Sequence, residues 1–164
     1  MSDEVVNNVI NALRKSDELP KWGSFYCELL ITVLAGGDLR DSIVNIARKY
    51  AGDGFAQQII SHGSTKAGDD PMSACYVASN FPVLLQMAYK YADDPKAAML
   101  ASANAGGENV NRSAVLGALL GAAHGYDNLP RDFVEGLTAS GALHAEMAEF
   151  LGKYFPAPQL HSEL

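Results

Sequence analysis

One segment, residues 104–125, constrains the fold of this chain more than any other. It contains a glycine pair, Gly106 and Gly107, which ends one apolar run and leads into the next. Three further glycines follow at intervals of four residues and share one helix face: Gly117, Gly121 and Gly125. A glycine inside a helix costs about 1 kcal/mol relative to alanine. The stripe therefore predicts that another backbone approaches this helix very closely.

Apolar residues recur at helical spacing along nearly the whole chain, and no alternation lasts long enough to indicate a β-strand. The pattern predicts an all-α fold, a compact orthogonal bundle of several helices. Glycine, proline and capping residues place these helices at residues 3–15, 25–35, 39–50, 55–62, 73–92, 96–105, 111–124, 131–137 and 140–154. We predict a single helical domain over residues 1–155 and a tail over residues 156–164, which contains Pro156 and Pro158.

Composition excludes several classes of partner. The chain has 164 residues, of which 48% are hydrophobic, and its net charge of −7 repels nucleic acid and anionic membrane surfaces. The longest apolar run, residues 29–35, is too short to span a bilayer. Cys27 and Cys75 lack metal-binding spacing and are expected to be reduced thiols. With an acidic start that does not resemble a signal peptide, these features predict a cytoplasmic protein.

Oxygen-bearing side chains stand where the glycine pair leads into the helix. Glu108, Asn109 and Asn111 offer a carboxylate and two amides, which can hold a hard cation or a sugar hydroxyl. The same residue types also serve as helix-terminal acids and N-caps, and both interpretations stay open. The adjacent Arg112 is expected to be solvated or paired with a carboxylate, with a phosphate contact as the alternative.

Other polar and aromatic residues favour structural roles. Asp69 and Asp70 precede Pro71, and capping of the following helix is the favoured interpretation. The four histidines show no spacing typical of a metal site. Four aromatic residues are expected in the core, with an adenine-stacking wall as the alternative: Tyr76, Phe81, Tyr89 and Tyr91.

The glycine pair and the stripe together resemble the C-terminal signature of the ADP-ribosylglycohydrolase family. Members of that family carry a Gly-Gly-Asp-x-Asp-Thr run followed by a helix with glycine at every fourth position. Leu129-Pro130 follows here as a similar pair does in the family, and residues 75–89 resemble the helix that precedes the signature. The resemblance covers about residues 70–137.

The resemblance implies an all-α fold like the C-terminal half of the family fold, and a hydrolase that releases ADP-ribose from a protein or a small acceptor. In the family, two metal ions, usually magnesium, are held jointly by this run and by a Thr-Asp-Asp cluster near the N-terminus. Here Glu108 stands in place of the first aspartate, Val110 of the second and Asn111 of the threonine. Glu108 is thus implied as catalytic residue and metal ligand, with Asn109 and Asn111 as further ligands.

Family members are about twice as long as this chain, so half of the expected metal site should be absent. The resemblance therefore implies a hydrolase that is incomplete or impaired as an isolated chain. A second copy in a homodimer, or a complementing partner chain, would supply the missing carboxylates. A non-catalytic helical interaction or assembly module that reuses the scaffold is the alternative.

Overall fold

The computed structural model describes residues 2–12, 17–73 and 75–155. Its helices are α1 (Ser2–Ala12), α2 (Leu19–Leu34), α3 (Leu39–Ala51), α4 (Asp53–Gly63), α5 (Val77–Lys90), α6 (Pro95–Asn104), α7 (Asn109–His124), α8 (Arg131–Glu135) and α9 (Ser140–Tyr154). A short 3₁₀ turn, Tyr126–Asn128, follows α7. Within these ranges the only β-type pairing is an isolated parallel bridge between Ser73 and Gly107. The predicted all-α fold is confirmed.

The contacts group the chain into two compact units, Met1–Leu129 and Pro130–Leu164. The second unit contains α8 and α9, and Phe150 and Tyr154 of α9 stack with ring centroids 4.9 Å apart. A single domain over residues 1–155 stays a prediction, and the predicted tail at 156–164 lies outside the described residues. No helix in the described ranges has the length and apolarity needed to cross a bilayer.

The core of the first unit forms where several amphipathic helices turn their apolar faces inward. Helix α2 packs against α1, α3 and α7, while α5 packs against α3, α4 and α7. The fully or almost fully buried side chains recur at helical spacing: Phe25, Leu29 and Val33 on α2, Ile43 and Ile46 on α3, Leu84 and Leu85 on α5, and Leu116, Leu119 and Leu120 on α7. The chain's own helix α2 therefore packs against α7, which carries the glycine stripe.

Two predicted helix starts are wrong. Helix α2 begins at Leu19 rather than at residue 25, because Pro20 lies in the first turn, where its missing N–H costs nothing. Gly23 lies inside α2, where an added Cβ would lie 3.0 Å from Val6 of α1. Helix α5 begins at Val77 rather than at residue 73, because Ser73 pairs with Gly107 instead.

The prediction that another backbone closely approaches the glycine stripe is also wrong. A Cβ at Gly117 would lie 3.6 Å from the Met99 side chain, and one at Gly121 would lie 3.8 Å from Leu129. These are ordinary contacts with side chains, so the α7 stripe accommodates flexible neighbours and not another backbone.

We therefore expect Gly117→Ala and Gly121→Ala each to raise the free energy of unfolding by about 0.5–1 kcal/mol, since alanine restricts the unfolded chain more than glycine does. Urea denaturation of the two variants measures the gain. Gly23→Ala is the control and should show no gain, because its Cβ meets Val6 at 3.0 Å. If both α7 substitutions destabilise the protein instead, the stripe is tightly packed, as the sequence predicts.

Candidate functional site

The loop between α6 and α7 has a conformation that requires glycine. Gly106 and Gly107 have φ angles of 72° and 66°, in the left-handed region. A Cβ at Gly107 would collide with the backbone carbonyl oxygen of Ser73. The Glu108 N–H then donates to that same oxygen at 3.2 Å. The close backbone approach in this protein thus lies at Gly107, where the segment before α5 meets the start of α7.

Glu108 and Asn111 lie together at the N-terminus of α7. Glu108 occupies the N-cap position without a side-chain capping bond, and Asn111 Nδ2 donates to Glu108 Oε1 at 2.9 Å. Asn109 Nδ2 donates instead to the Ala103 carbonyl oxygen of α6 at 3.2 Å. The structure therefore brings together two of the three predicted site residues and directs the amide of Asn109 elsewhere.

A cavity of about 210 Å³ opens beside this pair, between α5 and α7. We call it the Glu108 pocket, and its lining residues are Cys75, Val77, Asn80, Phe81, Leu84, Glu108, Asn111, Arg112 and Val115. Glu108 is the only acidic residue of this lining. The pocket therefore offers one carboxylate and two amides to hydroxyl groups, with apolar side chains that can pack against a ring.

Arg112 is buried at 1% exposure, contrary to the expectation of a solvated or carboxylate-paired side chain. Nε donates to Ser102 Oγ, NH1 donates to Ser73 Oγ and Asn80 Oδ1, and NH2 donates to the carbonyl oxygens of Ser102 and Gly106. Arginine has five N–H groups, so none is left for a phosphate. Burial lowers the pKa of Arg112, and the negative charge of Glu108 partly offsets that effect.

Asp70 belongs to a second polar cluster and does not cap a helix. Its side chain is 2% exposed and pairs at 3.0 Å with Lys90 Nζ, whose side chain is 4% exposed. Tyr91 OH donates to Asp70 Oδ2 at 2.7 Å. His62 Nε2 lies 3.5 Å from Asp70 Oδ1 in an electrostatic contact, without hydrogen-bond geometry. This cluster fastens the loop after α4 to the C-terminal end of α5.

The aromatic residues considered for adenine stacking are divided among separate environments. Phe81 is buried against Trp22 and Phe25, with ring centroids 5.2 Å and 5.4 Å away. Tyr91 is bound to Asp70, and Tyr76 is 72% exposed. The structural interpretation fits Phe81, and these side chains do not form one wall.

The described residues do not fit a magnesium site. Among them, no group of three or more His, Cys, Asp or Glu side chains is placed to hold a metal ion. In the Glu108 pocket the single carboxylate already accepts a hydrogen bond from the Asn111 amide, and the other charged residue of the lining is the cationic Arg112. Val110, at the position of the family's second aspartate, is 74% exposed. The donor set is too small for an octahedral cation that prefers several oxygens.

The candidate site is a glycine loop that places a carboxylate at the start of a helix, inside an all-α scaffold. The model of the ADP-ribosylglycohydrolase family matches residues 3–161 of this chain, nearly its whole length. The chain therefore belongs to the ADP-ribosylglycohydrolase family. The match extends on both sides of the region 70–137 that the sequence resemblance covered. No curated protein and no solved structure matches the chain.

Proposed function

We propose that this ADP-ribosylglycohydrolase-like protein binds the ribosyl part of an ADP-ribose-type ligand in the Glu108 pocket. The observation that carries the proposal is the Glu108 carboxylate, held by Asn111 in the wall of a cavity with apolar sides. Carboxylate and amide groups accept and donate hydrogen bonds to sugar hydroxyls, and Val77 and Leu84 offer apolar contact. The family assignment supplies the class of ligand.

The pyrophosphate part of such a ligand should lie outside this pocket. Each of the five N–H groups of Arg112 donates to a protein acceptor, and the protein has a net charge of −7. A phosphate placed near Glu108 would meet another negative charge. The pocket therefore selects the neutral ribose ring.

Hydrolysis of the glycosidic bond needs more groups than this pocket has. Glycosidases commonly use two carboxyl groups, one that protonates the leaving group and one that acts on the opposite face of the sugar. The Glu108 pocket has one. We propose that hydrolysis requires carboxylates from a second copy or from a complementing chain, and that Mg²⁺ binds only in that complex.

The alternative is a non-catalytic interaction module. The observation that favours it is the position of Val110, exposed where the family has its second acidic ligand. A homodimer stays a prediction too. Phe25, Leu29 and Val33 of α2 are buried within the chain's own core and are not available to an interface, so light scattering has to decide it. The proposed cytoplasmic location is supported by the free thiols of Cys27 and Cys75.

We expect ADP-ribose to raise the melting temperature of the wild-type protein and to leave that of Glu108→Gln unchanged. A ligand at 100 times its dissociation constant stabilises the native state by about 2.7 kcal/mol. The unliganded variant should stay within about 1 kcal/mol of wild type, the size of a helix-end charge effect. Differential scanning calorimetry with and without Mg²⁺ measures both quantities.

Asn109→Ala is the matched control, because its amide donates to Ala103 and not into the pocket. It should keep the full ligand-induced shift. An equal shift in Glu108→Gln and wild type would remove Glu108 from the binding site. No shift in the wild type, with or without Mg²⁺, would favour the interaction module.

A further inference from the structure

Arg112 connects three parts of the chain that are distant in sequence. Its guanidinium donates to Ser73 Oγ at 3.1 Å, to the Ser102 carbonyl oxygen at 2.7 Å and to the Gly106 carbonyl oxygen at 2.9 Å. Ser73 lies before α5, Ser102 lies in α6, and Gly106 lies in the glycine loop. One side chain of α7 therefore holds the segments that surround the start of its own helix.

These contacts determine where Glu108 stands. The Glu108 N–H donates to the Ser73 carbonyl oxygen at 3.2 Å, and Arg112 holds Ser73 through its hydroxyl. The same hydroxyl donates to Asn80 Oδ1 at 2.9 Å, on the opposite side of the pocket. Gly106, directly before the bridge residue Gly107, is held by the other end of the guanidinium. The Arg112 guanidinium therefore holds both segments that meet at the bridge, the one that ends at Ser73 and the one that contains Gly106.

The charge of Arg112 is unusual for its position. Among the described residues, no carboxylate lies within 4.0 Å of the guanidinium. All of its hydrogen-bond acceptors are neutral hydroxyl, amide or carbonyl oxygens. An arginine buried without an ion-pair partner is uncommon in proteins, because desolvation disfavours it. A cation kept here, within the loop that presents Glu108, points to a role in organising that loop.

We propose that Arg112 is the positioning residue of the Glu108 pocket, a fixed internal cation that orders the glycine loop without a divalent metal. Only the naming of Glu108 as the ligand-binding group rests on the proposed function. The loop is closed although its donor set does not suit magnesium, because the buried guanidinium hydrogen-bonds to three segments around it.

The test is the hydrogen-exchange rate of the Glu108 amide, measured by NMR in the presence of EDTA. In Arg112→Lys this rate should rise about tenfold or more, because an ammonium group cannot replace the planar fork and at least one net hydrogen bond is lost. The Asp41 amide, which donates to Asp38 Oδ1 on α3, is the internal control. Its rate should not change, since a local effect leaves α3 intact. Arg48→Lys, an exposed substitution on α3, is the control variant. It should change neither the exchange rate of the Glu108 amide nor the fold.

An unchanged Glu108 rate in a folded Arg112→Lys protein would overturn the proposal. If Arg112→Lys does not fold, Ser73→Ala replaces it, with the same faster exchange expected at Glu108 and the same unchanged rate overturning the proposal. These measurements need no ligand. ADP-ribose titration of the wild type separately decides the proposed function, so the two can fail independently.

Discussion

Replacing Asp70 with asparagine is expected to lower the free energy of unfolding by about 3 kcal/mol near neutral pH, because it leaves the buried Lys90 ammonium group without its counter-charge. The two side chains are 2% and 4% exposed and lie 3.0 Å apart. Lys90 Nζ also donates to Thr65 Oγ1 and to the Lys66 carbonyl oxygen, so it cannot turn to solvent without losing those bonds. Urea denaturation of variant and wild type measures the difference.

Asp69→Asn is the matched control for this substitution. Asp69 is the exposed neighbour of Asp70, and its loss should change the stability by less than about 0.5 kcal/mol. Similar effects at the two positions would contradict the assignment of the ion pair to Asp70. The double substitution Asp70→Asn with Lys90→Met should recover part of the loss, since it removes the unpaired charge.

The same ion pair predicts how stability depends on pH. Burial would raise the pKa of Asp70, but the hydrogen bonds from Tyr91 and Lys90 outweigh burial and hold the pKa below its ordinary value. Such a carboxylate stabilises the fold above its unfolded pKa of about 3.9, and the contribution is lost as the pH falls through the folded pKa. The stability difference between wild type and Asp70→Asn should therefore shrink below about pH 4. A difference that stays constant into stronger acid would contradict this.

Replacing Gly107 with alanine is expected to cost about 3 kcal/mol, from left-handed backbone strain and from the collision of the new Cβ with the Ser73 carbonyl oxygen. A backbone atom cannot move aside as a side chain can, so the bridge between Ser73 and Gly107 has to open. The ligand-induced rise in melting temperature should then be lost together with the stability. Calorimetry of the variant, with and without ADP-ribose, reports both effects.

Gly106→Ala separates these two causes. Gly106 has a similar φ angle of 72°, yet the nearest atom to its added Cβ is Met72 Sδ at 3.9 Å. Only the backbone strain remains, so we expect a cost of about 1 kcal/mol. If Gly106→Ala proves as costly as Gly107→Ala, the contact with Ser73 is not what requires glycine at position 107.

Much of the helical architecture could be predicted from the chain because it depends on local chemistry. Asp38 and Asp94 cap α3 and α6 by accepting bonds from the amides of Asp41 and Ala97, as their positions before apolar runs predict. The error at the start of α2 arose because proline and glycine usually interrupt helices. Pro20 is tolerated in the first turn, and Gly23 lies where α1 packs closely.

The candidate site was predicted in part. Glu108 and Asn111 were singled out because they follow a glycine pair at the start of a helix. The structure brings their side chains together, and their binding role stays a prediction. The sequence could not distinguish Asn109 from these two residues. Neighbouring side chains of a helix point in different directions, and only the placement of the helix decides which of them face the pocket. The prediction of a close backbone contact at the glycine stripe is wrong for a similar reason. Helical spacing shows which residues share a face, but not whether a backbone or a flexible side chain lies opposite that face.

By itself, the sequence determined the helices, their caps, the glycine loop and the family to which the chain belongs, because each depends on residues close together along the chain. Only the tertiary structure decided the roles of Arg112 and Asp70. Both are residue types that usually remain in water, and their partners are remote in sequence: Ser73 for Arg112 and Lys90 for Asp70. The free energy lost when a charge is desolvated is offset only where such partners converge around it. That convergence is a property of the packed helices.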